Sequence, residues 1–146
     1  MIQNILSSYI VIALQTTVVF LIINKIFNFN FNNILINLYI LFLLFSIFSV
    51  ALGISISNIS KDRIQFGYLT NLIIVPMCML GGCYWPQDFM PEYLRNISNL
   101  VPTSWFMKAV EKIVFGTELN GVYKEISIII LFTIIFFLIG ISKKLI

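Results

Sequence analysis

The chain has 146 residues, of which 60% are hydrophobic and only 10% are charged, and its mean hydropathy is +1.00. A soluble domain usually carries about 25% charged residues, so this composition excludes an ordinary soluble protein and indicates an integral membrane protein. The net charge of +3 is small and spread along the chain. The sequence has no basic cluster with interleaved aromatic residues, which is the pattern typical of nucleic-acid binding.

Metal and thiol chemistry is limited by the residues available. The sequence has no histidine, and its two cysteines are Cys78 and Cys83. Two thiols without further ligands do not make a zinc site, so we expect no metal. The two cysteines either pair or remain buried free thiols, and we favour free thiols. Residues 1–7 carry no Lys or Arg, which argues against a signal peptide.

Four apolar segments follow one another along the chain, at about residues 5–26, 34–59, 64–81 and 123–142. A membrane-spanning helix needs about 20 apolar residues, and each segment reaches this length if flanking residues are included. Ile and Phe dominate the segments and favour strands in water. In lipid, however, backbone hydrogen bonds must close within a segment. The sequence therefore predicts an all-α, polytopic membrane protein with four transmembrane helices.

The short connections predict the orientation of these helices. Lys61 and Arg63 separate the second and third segments, and Lys143 and Lys144 follow the fourth. Four spans place both regions on the side of the N-terminus, which the positive-inside rule makes cytoplasmic. The uncharged stretch FNFNFNN at 27–33 then lies outside. The outer region 82–125 has its own basic residues, so the contrast is modest; these are Arg95, Lys108, Lys112 and Lys124.

The third segment contains Pro76 and ends at Gly81-Gly82. Pro76 removes a backbone donor and should kink the helix, and the two glycines permit a sharp change of direction. This is either a simple helix end or a break that turns the chain back toward the membrane. The sequence that follows favours the second interpretation.

Two amphipathic runs lie between the third and fourth segments. The first, Pro91 to Val101, has helical periodicity, with Pro91 in its first turn and Pro102 ending it. The second, Ser104 to Phe115, has Thr103 or Ser104 as a candidate N-cap and Gly116 as a stop. Each covers only about 15–18 Å, so neither can span a bilayer. We therefore predict an outer amphipathic re-entrant hairpin over 82–116.

The second run divides into two predicted faces, and aromatic side chains suggest its depth. The polar face holds Ser104, Lys108, Glu111 and Lys112, and the apolar face holds Trp105, Phe106, Ala109, Val110, Ile113 and Val114. Amphipathic aromatic residues collect at the level of the lipid headgroups. The hairpin has four of these, namely Tyr84, Trp85, Tyr93 and Trp105.

Polar and small residues also occur within the apolar segments. Gln15 and Thr16 lie in the first segment, and Thr70 and Asn71 lie in the third. Polar groups at membrane depth are costly unless they face protein or a pathway, so they either form hydrogen bonds between helices or line a substrate route. In the second segment, small residues recur every four positions and permit close helix approach; these are Ser49, Gly53 and Ser57.

The hairpin motifs, read in order, resemble the bacterial ABC-2-type exporter permease family. The resemblance covers about Ile34 to the C-terminus. The family has six transmembrane helices, so the four segments resemble its last four, and Val110-Glu111 departs from an Arg found in many members. The matching motifs are Ala51-Leu52-Gly53, Ser60-Lys61-Asp62, Gly81-Gly82, Pro86, Met90-Pro91, Leu94-Arg95, Pro102-Thr103 and Gly116.

The resemblance implies a permease subunit of an ATP-driven exporter in a bacterial plasma membrane. It implies a hydrophobic drug, lipid-like, peptide or polysaccharide substrate. Its partners would be a nucleotide-binding ATPase subunit that holds ATP and Mg²⁺, a second permease copy, and membrane lipids. The stripe of Ser49, Gly53 and Ser57 then either contacts the second copy or packs against another helix of the same subunit. Asn71 is the first choice for lining the pathway. The residues expected to form the hairpin and outer gate are Gly81, Gly82, Pro86, Phe89, Met90, Pro91, Pro102, Trp105 and Phe106.

Missing motifs argue against other functions. There is no G-x-x-x-x-G-K-[ST] phosphate loop, so ATP hydrolysis is expected on a separate chain and no cofactor on this one. No acidic residue lies in the middle of a span, which argues against a proton-coupled secondary transporter. An enzyme would depend on Asp88, Glu92 or Cys83, which the permease motifs explain better. A small membrane interaction or assembly protein is the alternative.

Overall fold

The computed structural model describes residues 2–27, 33–86 and 89–142, and within these ranges it contains helices and short connections but no strand. Four helices are long and apolar enough to cross a membrane, so the predicted all-α class with four transmembrane helices is confirmed. Asp88, Lys143, Lys144 and residues 28–32 lie outside the described residues, and the predicted orientation stays a prediction. The elements are α1 (Ile2–Phe27), α2 (Asn33–Ile59), α3 (Arg63–Gly81), α4 (Glu92–Ser98), α5 (Pro102–Val114), a 3₁₀ turn (Leu119–Val122) and α6 (Tyr123–Ser142).

Helix α2 lies at the centre of the fold and contacts α1, α3, α5 and α6. Helices α1 and α3 lie at the periphery, and most of their large apolar side chains are exposed and available to lipid or to other protein. The short helix α5 packs between α2, α3 and α6. The buried core comes mainly from α2 and α5, and it consists of Leu41, Phe48, Leu52, Ile56, Phe106, Ala109, Ile113, Val122 and Ile129.

Helices α2 and α6 approach closely at Gly140, which is buried. A Cβ atom on Gly140 would lie 3.1 Å from Ile54 Cγ2 and 3.4 Å from Ser55 Oγ. The Asn58 amide donates to the Gly140 carbonyl, one of the last four carbonyls of α6, which have no partner within the helix. The Ser55 hydroxyl donates to the carbonyl of Phe136. Two side chains of α2 thus form hydrogen bonds with the α6 backbone, at and near the position where α6 has no side chain.

Helix α1 is held to the first half of α2 by polar and aromatic contacts. The Thr17 hydroxyl and the Tyr39 hydroxyl share a hydrogen bond of 2.9 Å. Phe20 meets the rings of Tyr39 and Phe42 edge-on, with 5.5 Å between centroids in each case. These contacts involve Tyr39 and Phe42 in the first half of α2. The close approach to Gly140 involves Ile54 and Ser55 in its second half.

Replacing Gly140 with Val should destabilise the protein by about 1–3 kcal/mol, because the added methyl groups force α6 away from α2. The matched control is Gly67→Val, since a Cβ atom on Gly67 meets nothing within 4 Å; we expect a change within about 0.5 kcal/mol. Thermal unfolding in detergent micelles measures both values. Equal losses in the two variants would contradict the close α2–α6 contact.

Candidate functional site

Helix α3 ends where the hairpin region begins. Gly82 has a positive φ of 86°, and its N–H donates to the carbonyl of Cys78. The Cys83 N–H donates to the same carbonyl at 3.0 Å. This is the left-handed glycine stop that favours Gly over residues with a Cβ atom. Helix α3 continues past Pro76 and ends at the glycines, and the kink at Pro76 stays a prediction.

The start of α5 rests directly on the end of α3. A Cβ atom on Gly81 would lie 2.2 Å from Thr103 Oγ1 and 3.1 Å from the Thr103 backbone carbon. The Thr103 hydroxyl donates to the Met77 carbonyl at 2.5 Å. Only glycine leaves room for this approach, so Gly81 has a packing role in addition to its place before the turn.

The predicted ends of the two short helices need correction. The N-cap of α5 is Val101 with no side-chain capping bond, and the Thr103 hydroxyl is already bonded to α3. Pro102 begins α5 instead of ending the first run, which suits a residue that has no N–H to donate. Helix α4 is shorter than predicted, because it ends at Ser98 and has Pro91 as its N-cap.

Phe106 joins α5 to the aromatic side chains of α2. Its ring stacks on Phe45 with 4.1 Å between centroids and meets Phe42 edge-on at 5.1 Å. Phe45 lies about 18 Å along α2 from its first residue at about 1.5 Å per residue. Helix α5 therefore contacts the interior of α2, well away from the end of α2, and lies between α3 and α6.

The predicted faces of α5 are partly wrong. Ser104 was assigned to the polar face, but it is fully buried. Val114 was assigned to the apolar face, but 54% of it is exposed. The reason is that α5 packs against α2, α3 and α6, so its buried residues are set by three neighbouring helices and do not follow a single apolar face.

The residues predicted for the outer gate do not form one surface. Met90 and Phe106 are buried, whereas Phe89 is 82% exposed. Trp105 is half-buried and packs against the edge of the core, and its indole N–H donates to the Asn99 carbonyl at 2.8 Å. Of the three prolines, Pro86 and Pro91 are exposed and Pro102 is buried. A gating role for these residues stays a prediction.

The candidate pathway residues also lie apart. Gln15 and Asn71 are exposed, and the Thr16 hydroxyl donates to the Ile12 carbonyl of its own helix at 2.9 Å. The Thr70 hydroxyl is buried, and the described residues offer it no hydrogen-bond partner. Four cavities of the described part of the chain, which are lined around Ser49, Leu41, Leu35 and Tyr9, include none of these four residues in their walls.

The small-residue stripe of α2 lines a cavity of about 420 Å³ between α1 and α2. Ser49, Gly53 and Ser57 all contribute to its wall, together with Ser8 and Asn58. At Gly53 the space beside the helix is open. The stripe is therefore accessible in this chain and does not hold two of its helices together at Gly53.

Lys112 and Glu125 form an ion pair that the sequence analysis missed. Lys112 Nζ lies 2.8 Å from Glu125 Oε1, and the Glu125 side chain is only 4% exposed. Within the described residues, Oε2 of Glu125 has no hydrogen-bond partner. A carboxylate in the first turn of α6 also suits the helix dipole. Its position immediately before a long apolar run was the available sequence signal.

The thiols are free, as favoured by the sequence, but only one of them is shielded. Cys78 is half-buried, whereas Cys83 is exposed and not buried as expected. Desolvation and the neighbouring Cys78 thiol raise the pKa of Cys83 to about 11. Because the thiolate is the nucleophilic form, Cys83 is a poor nucleophile at neutral pH, and the site does not favour thiol catalysis.

The fold and this site define a multi-pass membrane protein with a short helix packed against three of its four spans. The sequence profile described as "ABC-2 type transporter" matches residues 1–115, so the chain belongs to the ABC-2 type transporter family. The match includes α1, whereas the resemblance noted from the motifs began at Ile34.

Two known relatives of the chain are named as permeases. The chain is 26% identical over 147 residues to the linearmycin resistance permease protein LnrN of Bacillus subtilis, covering 94% of this chain and 36% of LnrN. It is 28% identical over 67 residues to the inner membrane transport permease YhhJ of Escherichia coli, covering 46% of this chain and 18% of YhhJ. The chain thus spans about a third or less of the length of these relatives. No solved structure matches it.

Replacing Gly81 with Ala should loosen α5, because the new Cβ atom meets the Thr103 backbone as well as its side chain. We expect amide hydrogen exchange across residues 102–114 to rise about tenfold. The matched control is Gly121→Ala, where the added atom meets only the Thr117 side chain, which can rotate. If exchange in α5 is the same in both variants, the α3–α5 approach is not as close as described.

Breaking the ion pair from either side should give unequal losses. Lys112→Gln leaves a buried unpaired carboxylate and should cost about 2 kcal/mol, less than for a fully buried pair because Lys112 is partly exposed. Glu125→Gln leaves an ammonium that water can solvate and should cost less than about 1 kcal/mol. Thermal unfolding in micelles measures both, with exposed Glu111→Gln as control. A larger loss for Glu125→Gln would contradict this account.

Proposed function

We propose that the chain forms part of the permease of an ATP-driven ABC exporter in a bacterial plasma membrane. Membership of the ABC-2 type transporter family is the observation that carries this proposal. The relatives whose names include "resistance permease" and "inner membrane transport permease" support it. Four helices of membrane-spanning length supply the scaffold that such a permease needs.

In this proposal, the hairpin 82–116 is the outer gate, and α5 is its moving part. Helix α5 contacts α3 through Gly81 and Thr103, α2 through Phe106, and α6 through the pair of Lys112 and Glu125. A change in the separation of those three helices would have to move α5 or break these contacts. The proposal therefore places the gate where displacement of the spans is converted into displacement of a short helix.

Substrate and partners are inferred from the same family. We infer a hydrophobic drug as the substrate class, since the relative LnrN is named for resistance to linearmycin; lipid-like molecules, peptides and polysaccharides are the other classes. A separate nucleotide-binding subunit would hold ATP and Mg²⁺. A second permease copy would pack on the open stripe of Ser49, Gly53 and Ser57.

Affinity purification of the tagged chain from native membranes in mild detergent tests the proposal. We expect mass spectrometry to identify a stoichiometric subunit with a phosphate-loop ATPase domain, because this chain has no such loop. An unrelated four-helix membrane protein with the same tag is the control. Recovery without an ATPase would contradict the exporter and favour an interaction or assembly protein.

A second arm of this experiment tests the gate. Gly82→Val forces a β-branched residue into a positive φ, so cells should lose resistance to linearmycin while the ATPase still co-purifies. Gly67→Val is the matched control, because Gly67 lies in α3 with open space beside it. Unchanged resistance in Gly82→Val would contradict the gate, and absence of linearmycin resistance in the unsubstituted protein would contradict this substrate.

A further inference from the structure

Two lysines from different helices meet at one tryptophan. Lys108 Nζ of α5 lies 4.6 Å from the centroid of the Trp105 ring, and Lys124 Nζ of α6 lies 5.6 Å from it. Both distances are within the reach of a cation–π interaction. Lys108 also donates to Asn99 Oδ1 at 2.6 Å. The Trp105 ring therefore lies within reach of two ammonium groups from different helices, and the Asn99 oxygen holds one of them, that of Lys108.

The surrounding carboxylates leave this cluster positively charged. Glu125 is already paired with Lys112. The pKa of Lys108 lies below its usual value, chiefly because of burial; among its charged neighbours Glu125 has the largest effect and raises the pKa, Lys124 and Arg95 lower it, and Glu111 raises it. Repulsion between cations that are held together is relieved when an anion binds between them, so the cluster is suited to an anionic ligand.

The position of the cluster selects the kind of anion. It lies where the amphipathic helix α5 meets the first turn of the membrane helix α6. Tryptophan and lysine are residue types that lie at membrane interfaces. Apolar side chains near it in sequence are exposed, with Leu100 at 73% and Val114 at 54%. A ligand with a negative headgroup and an apolar body matches both features better than a free phosphate ion does.

We propose that Lys108, Lys124 and Trp105 form a binding site for the phosphate of an anionic phospholipid. The two ammonium groups would donate to the phosphate oxygens, and the indole ring would lie beside the glycerol part of the lipid. Because the site uses neither the ATPase nor the exported substrate, this inference stands apart from the proposed export function. Lipid binding by the reconstituted chain is therefore sufficient to test the site.

Quenching of Trp105 fluorescence by brominated lipid tests the site directly. The sequence has only two tryptophans, so in Trp85→Phe the signal comes from Trp105 alone. The full chain is reconstituted in vesicles that contain either brominated phosphatidylglycerol or brominated phosphatidylcholine. We expect stronger quenching by phosphatidylglycerol, and a loss of this preference of about fivefold in Lys124→Gln, the factor expected for one basic residue at an anionic surface.

Controls separate this site from general attraction to charge. Lys124→Gln is the cleaner variant, since Lys124 is exposed, and Lys108→Arg should retain the preference because it keeps the charge. Lys25→Gln makes the same charge change at the end of α1 and should alter nothing. Equal quenching by the two lipids, or an equal loss in Lys25→Gln, would overturn the proposal. Complete relief of quenching by soluble glycerol phosphate would instead assign a free-phosphate site and overturn the lipid.

Discussion

Phe106 of α5 stacks on Phe45 of α2 with 4.1 Å between ring centroids, and this contact joins the hairpin to the helix on which the other spans pack. Helix α5 is an amphipathic helix of 13 residues, and isolated helices of that length are marginal in water, so α5 depends on its packing against the spans. Aromatic pairs contribute about 0.5–1.5 kcal/mol beyond the area that they bury. The buried neighbours Ala109 and Ile113 extend the same surface along α5.

Close backbone approach and hydrogen bonding occur together in this fold. At Gly140 the absence of a side chain lets α2 approach α6, and Ser55 and Asn58 donate to the α6 backbone there. At Gly81 the same absence lets α5 approach α3, and Thr103 donates to the α3 backbone. In lipid, the hydrophobic effect between helices is weak, so small residues and such polar contacts stabilise the packing.

The charged side chains gather near the hairpin, and their pairing determines what each can do. Lys112 neutralises Glu125 and ties α5 to α6. Lys108 and Lys124 share Trp105 and remain available to an anion. The gate that we propose and the lipid site therefore lie on one short helix. Lipid bound at Lys108 and Lys124 would contact both α5 and α6, whose relative movement the proposed gate requires.

The four spans and the family could be predicted from the amino-acid sequence, because the length of an apolar run and the order of Gly and Pro motifs are local properties. The sequence also predicted a turn at Gly81-Gly82, because the positive φ of Gly82 is a local backbone property. The contacts between residues of different helices could not be predicted in this way. Thr103 bonds to α3 instead of capping α5, Ser104 is buried despite its polar spacing, and Lys112 reaches Glu125 across a turn. Helical periodicity places a side chain on a face of its own helix, but the neighbours of that face come from packing between distant segments, which no local pattern records.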